Sequence, residues 1–373
     1  MPLSSSRSKL YRFFVLLFLF CGGFVITNCN ESSGYEKSQE KRVNIKNRNQ
    51  LKAPLGDSIT VEFSSESNID KCTFFFKGKA IKTVENLPGT TRLELSTTYF
   101  GIGKHFVELE LQVDGFESKE AIEIHVLSTR KPKVLQAKKI AEFSHLSSSF
   151  TQGLEFYQNY LFEGTGEPMN NGGTKILKVE LASGNPVKTI SGKQGDFGEG
   201  ITVFNDKIYQ LTWQQQTCYV YDVHTFEKLD EFSFSGEGWG LANDGSRLIM
   251  SDGSQNIYFR DPSTFEIIEQ IQVSTDVSAV TFLNELEYVE GKLYANVWTK
   301  DLLVEIDPKT GEVNSIIDCK SLRTSISGLD YSGIRQRPEV LNGIAYNARK
   351  STFYVTGKYW PLLYEVEFEE IGK

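Results

Sequence analysis

QGLEFYQNYLFEGTG (152–166) returns four times in altered form, as EGITVFNDKIYQLTW (199–213), WGLANDGSRLIMSDG (239–253), NELEYVEGKLYANVW (284–298) and NGIAYNARKSTFYVTGK (342–358). Each copy is an alternating apolar strand, a turn of Asn, Asp, Gly or Lys, and a second strand rich in β-branched and aromatic residues, which is a hairpin signal. Four copies are followed by a second hairpin of one type: KILKVELASGNPVKTI, CYVYDVHTFEKLDEFSF, IYFRDPSTFEIIEQIQV and LLVEIDPKTGEVNSII. Two hairpins make a four-stranded unit, and a unit returning about every 40 to 60 residues is the pattern of a β-propeller. Five starts predict five blades in an all-β chain.

After Lys358 the chain holds one more strand, PLLYEVEF (361–368), so the fifth unit lacks its outer strand. KIAEFSH (139–145), just before the first repeat, alternates apolar and polar residues and is predicted to fill the gap, removing an exposed edge. The propeller then runs over 134–373. Upstream, SITVEF, CTFFFKGKAIKTV, TRLELSTTY, HFVELELQVDG and EAIEIHVL predict strands without a helix across 51–130. That length, with a turn signal every ten or so residues, predicts a small immunoglobulin-like β-sandwich. STRKPK (128–133) reads as a hinge.

The first residues carry an address. Arg7, Lys9 and Arg12 precede an apolar run from Phe13 to Ile26, short for a bilayer span and suited to a secretory signal peptide over 1–28. Ile26, Thr27, Asn28 and Cys29 resemble a bacterial lipobox, with Asn28 where Gly or Ala is preferred. The expectation is an exported protein, periplasmic or in the cell envelope, lipidated at Cys29 and so held to a membrane; the alternative is plain cleavage. Residues 29–50 are polar and read as a tether.

Removing the signal lowers the 40 basic side chains by three, to 37 against 48 acidic ones. Such a balance disfavours nucleic acid as a partner. Cys72, Cys218 and Cys319 are an odd, scattered set and no disulfide framework. His105, His125, His145 and His224 share no metal-ligand spacing, so no metal site is expected. The glycines of GEGWG (236–240) open a hairpin rather than a helix, and GDS (56–58) has no paired histidine, so neither dinucleotide binding nor serine hydrolysis is supported.

Superposing the repeats shows what each position usually holds. Innermost strands line a propeller's channel, and their starts form the ring Gln152, Glu199, Trp239, Asn284 and Asn342. A second ring, at the end of the next strand, is Gly166, Trp213, Gly253, Trp298 and Lys358. Three residues before it stand Glu163, Gln210, Met250, Ala295 and Val355. Glu163 is the lone ionisable member, in surroundings whose desolvation would raise its pKa toward the range useful for proton transfer. It is either a catalytic group or a buried carboxylate paired with Lys358 or another cation. Trp213 and Trp298 either wall a site or pack between blades, and Lys358 either meets substrate or bridges to Glu199 or Glu285.

FTQGLEF (150–156), LFEGTG (161–166), FGEGITVFNDKIYQLTW (197–213), GEGWGLANDGSRLIMSDGS (236–254), LNELEYVEGKLYANVW (283–298), IDPKTGEV (306–313) and VLNGIAYNARKSTFYVTGKYWPLLYEV (340–366) resemble the glutamine cyclotransferases of plant and bacterial type. The likeness spans the propeller and leaves 51–130 uncovered. It implies conversion of an N-terminal glutamine of a peptide or protein to pyroglutamate with release of ammonia, without metal or cofactor. It implies that Glu163 is the acid and base, with Gly164 in place of the family's serine, and that GEPMNNGGTK departs from the family's loop. Phe150, Gln152, Trp213, Asn284, Trp298 and Lys358 are the implied substrate contacts, with Glu199, Trp239 and Asn342 lining the channel. A second class of function is a lipid-anchored propeller that binds a peptide or protein without chemistry. A third is a metal-dependent lactonase or lyase, for which Glu199 alone is a thin basis.

Overall fold

The computed structural model describes residues 43–166, 173–329 and 339–371, and it is built from strands. The signal peptide, Cys29 and most of the tether lie outside the described residues. The N-terminal part holds β1 (Val43–Ile45), β2 (Lys52–Pro54), β3 (Ser58–Ser65), β4 (Ile69–Phe76), β5 (Lys79–Leu87), β6 (Thr90–Ser96), β7 (Gly103–Val113) and β8 (Phe116–Leu127). These form two sheets, ordered β1-β3-β6 and β2-β8-β7-β4-β5. Alternation along each strand turns Ile59, Val61 and Phe63 of one sheet against Cys72, Phe74 and Leu109 of the other, in one shared core. The tether therefore ends earlier than the expected residue 50. Val43 and Ile45 are buried and β1 pairs with β3, because two apolar residues flanking Asn44 suffice for one short edge strand.

Beyond β9 (Lys133–Ser144) the chain builds the repeats. The first unit is β10 (Phe150–Tyr157), β11 (Tyr160–Gly166), β12 (Lys175–Glu180) and β13 (Asn185–Ser191); the second is β14 (Gly198–Phe204), β15 (Lys207–Thr212), β16 (Thr217–Asp222) and β17 (Lys228–Ser233). The third is β18 (Leu241–Asn243), β19 (Leu248–Ser251), β20 (Asn256–Arg260) and β21 (Ile267–Gln272). The fourth is β22 (Leu283–Val289), β23 (Lys292–Val297), β24 (Leu302–Ile306) and β25 (Val313–Asp318), followed by one helical turn, α1 (Lys320–Thr324). Then come β26 (Leu341–Asn347), β27 (Thr352–Gly357) and β28 (Leu362–Glu370); the segment predicted to close the array pairs there, with β9 antiparallel to β28. The start of β9 also runs parallel to β25, which joins the last two units into one eight-stranded sheet.

Local chemistry explains the turns. Asn205 and Asp206 both take positive φ, as a two-residue type I′ hairpin turn requires. In the outer hairpins Asp222 and Asp261 accept backbone N–H groups two and three residues on, and Phe226 and Phe265 then take positive φ.

First strands follow one another in a circuit: β10 packs on β14 and β26, β14 on β18, β18 on β22, and β22 on β26. Apolar packing lies between neighbouring units rather than on the axis. Phe162 and Ile176 meet Ile201 and Ile208, Leu211 meets Leu241 and Leu248, and Tyr294 and Leu303 meet Ile344 and Val355. The axis is left to backbone and polar groups. Gly200 and Gly240 show how close the approach is, since an added Cβ would stand 2.5 Å from Leu241 N and 2.0 Å from Asn284 O respectively. The fourth unit carries Glu285 in that column instead. Its carboxylate reaches across the axis to accept from Leu154 N (3.0 Å) and Ile344 N (2.7 Å).

The segment read as a hinge is tied down. Ser128 donates from its backbone to Thr275 O (3.1 Å) and from its hydroxyl to Glu312 (2.8 Å), and Arg130 reaches Asn314 (2.6 Å). Nearby, Gln272 grips the backbone of Lys104, accepting from its N–H at 2.9 Å and donating to its carbonyl at 3.0 Å. Cys72, Cys218 and Cys319 are buried free thiols, as expected of small packing residues.

Candidate active site

Strand starts and strand ends meet at one mouth of the circuit. Gln152, Glu199, Asn284 and Asn342 are buried there, and Trp239 is half-buried. Three of them are joined: Asn342 Nδ2 donates to Gln152 Oε1 (3.2 Å), and Gln152 Nε2 donates to Glu199 Oε1 (2.9 Å). Oδ1 of Asn284 and Oδ1 of Asn342 are buried with no hydrogen-bond partner. A buried acceptor without a donor is destabilising by about 1–3 kcal/mol unless something supplies one. Two such atoms, on side chains of the same ring, mark a place that calls for a donor the described residues do not supply.

Glu163 lies on β11 with 1% of its surface exposed. Its neighbours are not merely desolvating, as the neutral column suggested. Oε1 accepts from Thr151 Oγ1 (2.7 Å) and meets His145 Nε2 at 3.2 Å. The buried partner is therefore His145, not Lys358. Its other ring nitrogen, Nδ1, lies 2.6 Å from the carbonyl oxygen of Trp360, and its backbone N–H donates to Pro361 O (2.9 Å). Burial alone would push the imidazole pKa down; the Glu163 carboxylate, by charge and hydrogen bond, and the Trp360 carbonyl together hold it above its usual value.

Lys358, the residue after β27, is buried, and burial pulls its pKa down to about 8 against the opposing pull of Glu199. Burial pushes the Glu199 carboxyl well above its usual range, with Lys358 opposing and Glu237 reinforcing the rise. No carboxylate stands within ion-pair distance of Lys358 among the described residues, so the alternative of a salt bridge to Glu199 or Glu285 is not realised. Its ammonium instead sits 4.4 Å from the centre of the Phe150 ring.

Aromatic side chains make the rim. Tyr359 packs on Phe150 (5.2 Å between centroids), Phe150 on Phe197 (5.9 Å) and Phe197 on Trp213 (5.7 Å). Farther round, Trp239 meets Trp298 edge-on at 5.6 Å, and Phe282 lies 6.0 Å from Trp298. Glu237 links the two arcs, since its Oε2 accepts from the indole nitrogens of Trp213 (2.8 Å) and Trp239 (3.0 Å). Trp213 and Trp298 are thus half-buried rim residues, not core packing between units.

All the residues singled out in the sequence gather here, apart from Cys29, which lies outside the described residues. Tyr359 and Phe282 of the rim and four residues nearer the carboxylates are not among those candidates. Thr151 and Phe197 sit beside ring positions and were legible as neighbours of Gln152 and Glu199. Glu237 precedes the third copy by two residues, and His145 belongs to the closing strand, where no repeat column exists to flag it. Among the described residues, no group of three or more His, Cys, Asp or Glu side chains is arranged to hold a metal ion.

Comparison with known proteins agrees with this geometry. The glutamine cyclotransferase family model matches residues 110–368. The glutaminyl-peptide cyclotransferase of Arabidopsis thaliana is 35% identical over 240 residues, covering 64% of this chain and 73% of that protein. The crystal structure of Myxococcus xanthus glutaminyl cyclase superposes with a TM-score of 0.59 at 33% identity, covering 64% of this chain and 99% of that one. With more than half of its length matched, carrying the strands that bring Glu163, Lys358 and the indole rim together, the chain belongs to the glutamine cyclotransferase family.

Proposed function

We propose that the protein converts the N-terminal glutamine of peptides and proteins to pyroglutamate and ammonia by general acid and base catalysis without a metal. The catalytic body is read as a five-bladed β-propeller over 134–373, preceded by an immunoglobulin-like β-sandwich. The circuit of first strands and the cores lying between successive units support the first reading, and two sheets sharing one core support the second. Export and lipidation at Cys29 rest on the basic residues, apolar run and lipobox-like string of the leader.

The single observation that carries the reaction is the buried Glu163 carboxylate, held through one oxygen by Thr151 and His145 at the foot of an aromatic mouth. In the reaction the substrate's α-nitrogen attacks its own γ-carboxamide carbon, so both reactants come in one molecule and the site has to enforce the folded side chain. Trp213, Trp239 and Trp298 form walls suited to the glutaminyl stem. The unpartnered oxygens of Asn284 and Asn342 suit the amide and amine N–H groups. Glu163 accepts the proton released by the attacking nitrogen and returns it to the departing one, because ammonia leaves far more readily than amide ion. Lys358 carries the positive charge of the mouth at neutral pH and suits the γ-oxygen as negative charge develops on it. The imidazole-linked carboxylate favours catalysis over a purely binding propeller, for which a buried ionisable pair would be superfluous.

The test is ammonia release from a Gln-initiated dipeptide amide by the purified chain, beside Glu163→Gln and with EDTA present. Turnover that survives EDTA and falls at least 1,000-fold in the variant is expected. Absence of turnover on several such peptides would leave binding as the function, and loss with EDTA would overturn the metal-free scheme.

A further inference from the structure

His145 and Glu163 share one proton. The Trp360 carbonyl oxygen can only accept, so the 2.6 Å contact to it requires a hydrogen on Nδ1 of His145. A neutral imidazole then has a bare Nε2, and a bare Nε2 does not bond a bare carboxylate oxygen. The 3.2 Å contact between Nε2 and Glu163 Oε1 therefore holds one proton, on the ring or on the carboxyl group. Thr151 donates to the same oxygen, so Oε1 is committed to the protein. Oε2 has no hydrogen-bond partner among the described residues, and it is not one of the fully buried polar atoms left without one.

We propose that His145 is the positioning residue of the reaction: by pinning Oε1 and keeping a positive ring beside the carboxylate, it makes Oε2 the oxygen that exchanges protons with substrate. This rests on the cyclotransferase reading. As the bond from the α-nitrogen to the γ-carbon forms, a proton of that nitrogen passes to Oε2. As the bond from the γ-carbon to the amide nitrogen breaks, the same proton passes to the leaving nitrogen, which departs as ammonia. The proton on His145 stays where it was, and the pair ends as it began. While Oε2 carries the proton in transit, the imidazolium favours giving it up again, so the carboxyl group serves both halves of the reaction without help from water. Glu163 is the charged side chain whose field reaches the ring. Glu199 and Lys358 titrate in the same mouth, so a pH profile needs a readout assigned to His145 itself.

Ring nitrogen NMR of the ¹⁵N-histidine-labelled full chain supplies it, because there are four histidines to assign and the His145→Gln spectrum identifies the one that matters. The Nδ1–H form should persist through neutral pH, and the ring's titration midpoint should fall by at least about one unit in Glu163→Gln. A neutral ring protonated on Nε2, or a midpoint unmoved by Glu163→Gln, overturns the shared proton whether or not the protein turns over. In kinetics on the dipeptide amide, His145→Gln keeps a donor near Oε1 but cannot become a cation. It should lower kcat about 10- to 100-fold, hold KM within about threefold and displace the acid limb of the kcat profile. A folded His145→Gln protein with unchanged kcat and unchanged profile refutes the assignment, and if that variant does not fold, the NMR comparison of the unsubstituted chain with Glu163→Gln decides. A wild-type chain without turnover defeats the cyclotransferase reading instead, while the ring spectra still judge the pair.

Discussion

Replacing Lys358 with methionine should make the protein more stable and nearly inactive. The ammonium is buried, without a carboxylate in ion-pair contact among the described residues, and its pKa falls from 10.5 to about 8. At about 1.4 kcal/mol per unit, that drop means the charged form is worse off inside the protein than in water by about 3 kcal/mol. The attraction of Glu199 is already contained in that balance, and loss of the desolvated contact with the Phe150 ring takes back about 2 kcal/mol. Methionine fills nearly the same length with apolar atoms, so a net gain of about 1 kcal/mol is expected, or roughly 2–4 °C in Tm for a domain of this size. The sign has a pH signature. Lys358 has a depressed folded-state pKa, so its penalty is complete below about 8, fades as the folded protein releases the proton, and vanishes above the unfolded value of 10.5. The advantage of Lys358→Met should accordingly be full at pH 7 and smaller at pH 9.5, measured as paired urea midpoints. Ammonia release should fall by about 100- to 1,000-fold, the usual loss when a group stabilising a developing oxyanion is removed. A variant less stable than the parent at pH 7, or an advantage independent of pH, would show that Lys358 is held by an interaction other than the Phe150 ring and Glu199.

Three further expectations follow from the axis and the rim. Glu285→Ala strips acceptors from two buried N–H groups, Leu154 and Ile344; at about 1–3 kcal/mol for each orphaned donor, Tm should drop by roughly 5–15 °C, and an unchanged Tm rules out a bracing role. Glu237→Ala frees the indoles of Trp213 and Trp239 from their shared acceptor and should raise KM about tenfold with kcat within threefold, so a kcat loss at constant KM contradicts a purely positioning rim. Burial lifts Glu155 to about 7 and pushes Glu285 and Glu287 well above the carboxylate range. These raised values mean the folded state keeps protons that the unfolded chain has released, so this contribution is full below about pH 4.5 and is lost as pH rises through 7. The urea midpoint should be higher at pH 5.5 than at pH 8, and Glu155→Gln with Glu287→Gln should flatten that slope; Lys358, whose folded-state pKa is about 8, begins to shed its proton only at the top of this window and opposes the slope slightly.

How much of this was legible in the sequence depends on whether a residue sits in a repeat. Strand order, the closing strand and both rings were readable, because copies of one unit put Gln152, Glu199, Trp239, Asn284 and Asn342 at equivalent places and expose Glu163 as the odd member of its column. A residue without a second copy carries no such mark. His145 comes just after the strand borrowed from outside the repeats, so no repeat column marks it, although it is the last residue of the alternating segment, 139–145, chosen to close the sheet. For Lys358 the sequence leaves substrate contact and a bridge to Glu199 or Glu285 open, and the fold sets its ammonium over the Phe150 ring, with no carboxylate in ion-pair contact among the described residues. Val43 and Ile45 were given to the tether because a three-residue strand is too short for alternation to be visible.

The device that closes the ring is also the one that furnishes the site. Glu163 comes from β11, but both groups that orient its Oε1 come from elsewhere: Thr151 from the neighbouring strand, and His145 from the residue after β9. His145 is in place because β9 runs antiparallel to β28 as far as Ser144 and Leu362, which brings its backbone to Pro361 and its ring to Trp360. Trp360 is itself buried, and its indole donates to the Glu339 carbonyl (2.9 Å). Pairing the two ends of the repeat array thus does two jobs with one set of hydrogen bonds, removing an open sheet edge and fixing the imidazole that holds the carboxylate. Substitutions that loosen the β9 and β28 pairing far from the mouth, such as Ala137→Pro opposite Phe368, should therefore lower kcat before they unfold the protein. Activity that persists undiminished up to the unfolding transition would separate the two jobs.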